Sequence, residues 1–431
     1  HRRSLRWFSM HVFGLAGLAA AGCRGQDQPA PAPPVAPAPA APAPSSPTAK
    51  AFYADHFSKR PSIPAVVELG RTLFFDPSLS ASEKMSCATC HDPHFAYGPP
   101  NARAVQLGGS DMKSPGLRAV PSLRYLQKLP PFSEHHLDEA TDDSTDQGPA
   151  GGHTWDGRVN TTHDQARLPL TSPFEMANKD VASVVTRVAN GPLAARFRDV
   201  FGDDVFADPT RGEIALLTCL EDFQQMPKDF YPYTSKYDAY LRRQTTLSAA
   251  EERGRILFND PKKANCASCH PSGVREGQFP AFTDFGYNAL GVPRNREIPA
   301  NKDPAYRDLG LCGPLRTDLA SHREYCGEFR VPPLRNVAVR RTFFHNGAFH
   351  KLDQVIAFYL TRDTTPGRWY PKTNGQVDLY DDLPAEDRKN VNRDPPFGGK
   401  PGAAPALNRG EVADLIAFLK TLTDADQKPA P

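Results

Sequence analysis

The chain has 431 residues, enough for two globular units of ordinary size. Its 51 Lys and Arg against 49 Asp and Glu leave a net charge of +2, which excludes nucleic-acid binding by bulk positive charge. With 39% hydrophobic and 23% charged residues it is no polytopic membrane protein, and its 44 prolines require an extended segment or many long loops.

Arg2, Arg3 and Arg6 precede an apolar run from Trp7 to Gly22, which at 16 residues falls short of a membrane span. Residues 1–22 are therefore read as an export signal. The ending Ala20-Ala21-Gly22-Cys23 resembles a bacterial lipobox, with Cys23 as the residue that would carry lipid; cleavage nearby without lipidation is the alternative. Residues 23–50 are a Pro/Ala-rich linker, too poor in large apolar side chains to pack a core. The expected location is the periplasm, with membrane contact only through the lipidated Cys23.

Self-comparison reveals one duplication. Glu68-Leu69-Gly70-Arg71-Thr72-Leu73-Phe74-Phe75-Asp76 is echoed by Glu252-Arg253-Gly254-Arg255-Ile256-Leu257-Phe258-Asn259-Asp260. Both copies show helical spacing before an Asp-Pro stop, and each is followed within 20 residues by Cys-x-x-Cys-His. Ser248 with Glu251 three residues on reads as a capping box, and Val412, Leu415, Ile416 and Leu419 share one face of a closing helix. Few segments alternate apolar and polar residues. The expected fold is mainly α, with two helical domains, residues 51–244 and 245–425, joined by long loops.

Cys87-Ala88-Thr89-Cys90-His91 and Cys266-Ala267-Ser268-Cys269-His270 fit covalent attachment of c-type haem, in which two thiols bond to the porphyrin and the adjacent histidine ligates iron. A zinc or redox Cys-x-x-Cys has no need of histidine directly after both pairs. Two covalently bound haems are therefore expected, with His91 and His270 as iron ligands. Of the other cysteines, Cys312 and Cys326 are expected to form a disulfide in an oxidising compartment, and Cys219 to be a small buried apolar residue.

The ordered series LGRTLFFDPSLSASEKMSCATCH, WDGR at Trp155, SPFEM at Ser172, the second Cys-x-x-Cys-His, FRVPPLRNVAV at Phe329 and FFHNG at Phe343 resembles the bacterial di-haem cytochrome c peroxidase and MauG family over residues 62–422. The resemblance implies two cytochrome c-like domains, peroxide activation at the N-terminal haem, electron relay at the C-terminal haem, and a tryptophan between them. By the family's spacing Trp155 maps to that bridge, while Gln165 and Glu175 map to the distal pocket, with Glu175 as the acid/base candidate. The family's peroxidases place a Met ligand 14 residues beyond the histidine of Phe-His-x-Gly; here that position is Tyr359, and no Met follows Met226. Tyr359 thus resembles the tyrosine ligand of the MauG-like branch; a buried tyrosine bonded to backbone, or ligation by His345 or His350, are the other readings.

The distal histidine of many such peroxidases corresponds to Leu107, which implies an open first iron; His94 is too close to His91, and His135, His136 and His153 are placed in a long polar loop. The asparagine that holds the family's calcium is Ala119 within Arg118-Ala119-Val120-Pro121, so calcium is doubtful. Three functions follow: a peroxidase drawing electrons from a small donor protein, a MauG-like oxidase of side chains in a partner protein, or a non-catalytic electron carrier or redox sensor. All concern hydrogen peroxide or redox partners and none concerns nucleic acid.

Overall fold

A glycine at the same place in each repeat copy sets how the chain packs. The computed structural model describes residues 56–136, 146–275 and 277–430, so the expected export signal, Cys23 and linker, and the acidic residues Asp138, Glu139, Asp142 and Asp143, lie outside the described residues. Helix α1 (Ile63–Phe74) buries Val66, Leu69, Leu73 and Phe74 on one stripe and lies across α5 (Pro209–Gln224). At the crossing a Cβ on Gly70 would stand 1.8 Å from the Cys219 carbonyl oxygen, so only glycine permits this approach. The second copy repeats the device. Helix α6 (Ala249–Asn259) crosses α8 (Arg409–Lys420), and a Cβ on Gly254 would stand 2.0 Å from the Asp414 carbonyl oxygen. Even the flanking rings match: Phe74 meets Phe223 edge-on at 5.4 Å, and Phe258 meets Phe418 edge-on at 5.3 Å.

Three further helices, α2 (Thr162–Thr171), α3 (Val181–Asn190) and α4 (Ala194–Phe201), surround the first pair, and α7 (Leu352–Thr361) joins the second. Their starts are chemically marked. Ser248 with Glu251 forms the expected capping box, Asn408 with Glu411 forms another, and Asp208 caps α5 ahead of Pro209. Strands among the described residues are two or three residues long, so the molecule is helix-rich with extensive loops. One apolar cluster draws on residues 57–230, a second on residues 237–422. Cys219 is fully buried in the first as expected, and Cys312 and Cys326 are bonded to each other, a closure worth about 3 kcal/mol on the loop-entropy account.

Both clusters lie within one compact unit. A strap at Thr423–Gln427 stitches them together. Asp424 binds Arg124 at 2.9 Å, the Tyr125 hydroxyl at 2.6 Å and Asn336 at 2.7 Å; Asp426 binds Arg124 at 2.6 Å; and Gln427 accepts the Ala96 N–H at 2.8 Å. Beside it Arg335 grips Asp238 through two 2.8 Å bonds, both side chains fully buried. Removing one partner of such a pair costs about 3–5 kcal/mol because the other charge is left stranded. Arg335 and Asn336 of the FRVPPLRNVAV motif are therefore framework residues. No helix among the described residues is long and apolar enough to cross a membrane.

Candidate functional site

Each helical pair delivers its Cys-x-x-Cys-His segment in the same posture. Cys87–Cys90 form one helical turn capped by Ser86, and the His91 N–H closes it on the Cys87 carbonyl at 2.9 Å; the His270 N–H closes on Cys266 at 2.9 Å. His91 Nδ1 lies 3.0 Å from the Tyr97 carbonyl and His270 Nδ1 lies 2.7 Å from the Phe282 carbonyl. A carbonyl can only accept, so each Nδ1 carries the proton and each Nε2 keeps its lone pair, the arrangement of an iron-ligating imidazole. Burial lowers both histidines to about 4, outweighing those hydrogen bonds, so they are neutral at physiological pH. None of Cys87, Cys90, Cys266 and Cys269 is in a disulfide, and burial pushes Cys87, Cys90 and Cys266 up to about 12 and raises Cys269. They are unpaired thiols, the form in which cysteines bond covalently to haem. These residues fit haem in both places.

The surroundings then diverge. Glu175 sits close enough to Cys87 and Cys90 to perturb both thiols. Solvent reaches its carboxyl, yet the enclosing protein raises its pKa, an effect that Ser172 and the Arg158 guanidinium only partly oppose. A hairpin of β1 (Leu107–Gly108) and β2 (Ser114–Pro115) holds its backbone, with the Gly109 N–H bonded to the Glu175 carbonyl at 2.8 Å. A Cβ on Gly108 would stand 2.2 Å from the Phe174 carbonyl oxygen, so the Leu107-Gly108-Gly109 run serves to seat this loop. Gln165, on α2, faces a small cavity shared with His153, Thr162, Leu123 and Phe230. His153 lies in a loop, as expected, but is buried there, its N–H bonded to the Val159 carbonyl at 2.7 Å across the WDGR turn.

Around Cys266 and Cys269 the facing group is Tyr359, near enough to feel both sulfurs. Its ring lies between Phe344 and Phe397, at centroid distances of 6.1 and 5.1 Å, and its hydroxyl makes no hydrogen bond among the described residues. Burial raises its pKa. Of the other two candidates, His345 keeps a buried Nε2 that has no hydrogen-bond partner among the described residues. His350 borders Glu297 at 3.7 Å, while His345 stacks on Phe329 at 3.5 Å beside Asp308 and Arg118.

The quoted motifs converge on Trp155. Its indole N–H donates to the Ala119 carbonyl at 2.8 Å, the Ala119 N–H donates to the His345 carbonyl at 2.7 Å, and the Arg330 N–H donates to the Trp155 carbonyl at 2.9 Å. Arg118 lies between Asp156 and Asp308, with contacts of 2.7 Å to each, and Arg158 adds a 2.9 Å contact to Asp156. Burial would raise Asp156, but Arg118 and Arg158 outweigh it and hold the carboxyl to about 2. The Arg118 guanidinium already fills the space between the Asp156 and Asp308 carboxylates, so this pair offers a cation no seat. Sequence reasoning passed over Arg118, Asp156, Arg158 and Asp308, although two of them stand in the quoted WDGR motif.

A family model for di-haem cytochrome c peroxidase matches residues 64–246. The methylamine utilization protein MauG of Paracoccus denitrificans is 34% identical over 380 residues, covering 86% of this chain and 91% of that protein. The chain belongs to the di-haem cytochrome c peroxidase and MauG family. Cytochrome c551 peroxidase of Nitrosomonas europaea, another relative, is 27% identical over 83% of this chain and 80% of its own. Among solved structures, the diheme peroxidase BthA of Burkholderia thailandensis aligns with a TM-score of 0.75 at 40% identity, over 85% of this chain and 87% of its own. A tyrosine-to-methionine variant of BthA aligns equally well, with a TM-score of 0.76. The protein is thus a peroxidase-type oxidoreductase of this family, and membership implies haem cofactors.

Proposed function

We propose that the protein reduces hydrogen peroxide at a haem attached to Cys87 and Cys90 and draws the electrons through a second haem attached to Cys266 and Cys269. The observation that carries this reading is an asymmetry: the two histidine–carbonyl settings are alike, but the Glu175 carboxyl lies by both thiols of the first attachment site and the Tyr359 phenol by both thiols of the second. Bound haem would supply iron for cleavage of the O–O bond and for electron relay. Glu175, with its raised pKa, would move a proton from one peroxide oxygen to the other, so that two electrons and two protons yield two waters. Gln165 would lend an amide to the same pocket, and Trp155 would bridge the two centres. His91 and His270 would ligate iron on one side, and Tyr359 would face the second iron on the other.

Two cytochrome c-like domains, residues 51–244 and 245–425, would house these centres. Electrons would come from a small donor protein in the periplasm, where Cys23 would tether the chain. A second reading, oxidation of side chains in a partner protein, is favoured by Tyr359 and the absence of any Met beyond Met226. An anionic phenolate stabilises oxidised iron and opposes the ready reduction that a relay haem needs. One experiment tests both: the fully oxidised protein is mixed with peroxide in a stopped-flow spectrometer. Immediate reaction at both haems without prior reduction supports the open first site that Leu107 implies, whereas inertness until one haem is reduced points to a concealed histidine ligand. Accumulation of oxidising equivalents in the absence of donor would favour the second reading.

A further inference from the structure

Buried guanidinium groups in this protein are matched with carboxylates almost without exception. Arg124, Arg294, Arg316, Arg335 and Arg362 each pair with an aspartate. Arg330 does not. It is only 6% exposed, its Nε donates to the Thr154 carbonyl at 3.0 Å, and its Nη1 is buried with no hydrogen-bond partner. The nearest acid, Asp156, is already committed to Arg118 and Arg158. Arg340 is the second exception. Its Nε and Nη2 reach the Thr342 and Val120 carbonyls at 3.1 Å each, and no carboxylate among the described residues pairs with it. Burial lowers Arg340 to about 10, unopposed by any acid.

An unpaired buried cation costs several kcal/mol, so a fold that keeps two of them has an anion to place beside them. Position says which. Arg340 lies close enough to His91 to disfavour its charged form, and its Nη1 borders Gly98, next to the carbonyl that orients His91. Arg330 lies between the Trp155 turn and Phe285, whose neighbour Asp284 bonds through its N–H to the Cys269 carbonyl at 3.0 Å. Half-buried Arg340 therefore stands beside the first attachment segment, and Arg330 is separated from the second by the Asp284-Phe285 step. We propose that Arg340 and Arg330 bind propionate carboxylates of the first and second haem respectively, through the planar fork that suits a carboxylate. This rests on the two-haem reading above.

The test uses the intact, haem-loaded protein. Mass spectrometry first counts covalent haems, and spectroelectrochemical titration then reads each haem's reduction equilibrium. Loss of a nearby cation disfavours the reduced state, so Arg340→Gln should lower the reduction constant of the first haem by tenfold or more, about 59 mV for one electron, and leave the second nearly unmoved. Arg330→Gln should do the reverse. Arg330→Lys and Arg340→Lys should recover most of the shift, and Arg253→Gln, at a surface pair with Asp414, should change neither haem. Variants that keep two haems with unmoved potentials overturn the proposal and reduce both arginines to anchors for backbone carbonyls. Fewer than two covalent haems in the unaltered protein overturns the two-haem reading together with it. Should the Gln variants not fold, redox-difference infrared spectra of the unaltered protein decide: guanidinium bands, assigned by 15N-arginine, should change alongside propionate bands assigned by 13C-haem, and their absence overturns the proposal.

Discussion

The two halves of this protein share a frame and differ in what faces it. In each, a glycine lets two helices touch, a phenylalanine pair fills the crossing, and a histidine is oriented by a carbonyl. Opposite that frame the first half presents Glu175 with Arg158 near by, and the second presents Tyr359 between two phenylalanines. Duplication thus supplies two equivalent frames, and in the proposed function a few side chains outside the repeat would bring proton chemistry to one and control of redox potential to the other.

Breaking one frame alone is the harshest test of that separation. Cys87→Ala with Cys90→Ala should abolish the first covalent haem and spare the second, read as loss of one haem mass that survives acid-acetone extraction. Next in size is the proton carrier. Glu175→Gln should slow reaction with peroxide by about 100-fold, as loss of a positioned acid/base group commonly does. To accept the peroxide proton Glu175 must be ionised, and the protein enclosing it raises its pKa; the rate should therefore fall as pH drops through a limb lying above the ordinary carboxylate range, and the variant should lack that limb. A pH profile of the stopped-flow rate checks both.

Tyr359→Phe sharpens the other side. Losing a phenolate that favours oxidised iron should raise the reduction constant of the second haem by about tenfold or more and change its oxidised spectrum, while the first haem is unaffected. An unaltered spectrum would make Tyr359 a packing residue. The smallest effects belong to the shared frame. Gly70→Ala and Gly254→Ala should each cost on the order of 1–3 kcal/mol in thermal unfolding, since the helices must part against a modest gain in helix propensity. Markedly unequal costs would show that the two crossings do not bear load alike.

The frame was legible in the sequence because its signals are local. Helical spacing, the Asp-Pro stops, the Ser248–Glu251 box and Cys-x-x-Cys-His all lie within short windows, and each reappears as a helix, cap or turn. What surrounds Trp155 was not, since it depends on pairings such as Arg118 with Asp308, 190 residues apart, which leave no periodic trace. The burial of His153 within its loop was not legible either, because a polar stretch carries no sign of which of its residues turn inward. Asp156 and Arg158 could have been marked, because two opposite charges flanking a glycine beside a bridge tryptophan suggest a held turn.

The strap from Thr423 to Gln427 bears on how firmly the two clusters are held in register. Its partner Arg124 lies 300 residues from Asp424 along the chain, while the two helical crossings join residues 149 and 160 apart, so closing the strap costs only about 0.6 kcal/mol more chain entropy than closing either crossing. Since Ala96, Arg124 and Asn336 are all secured by this one short segment, a break in it would loosen one cluster on the other while leaving both helical crossings whole.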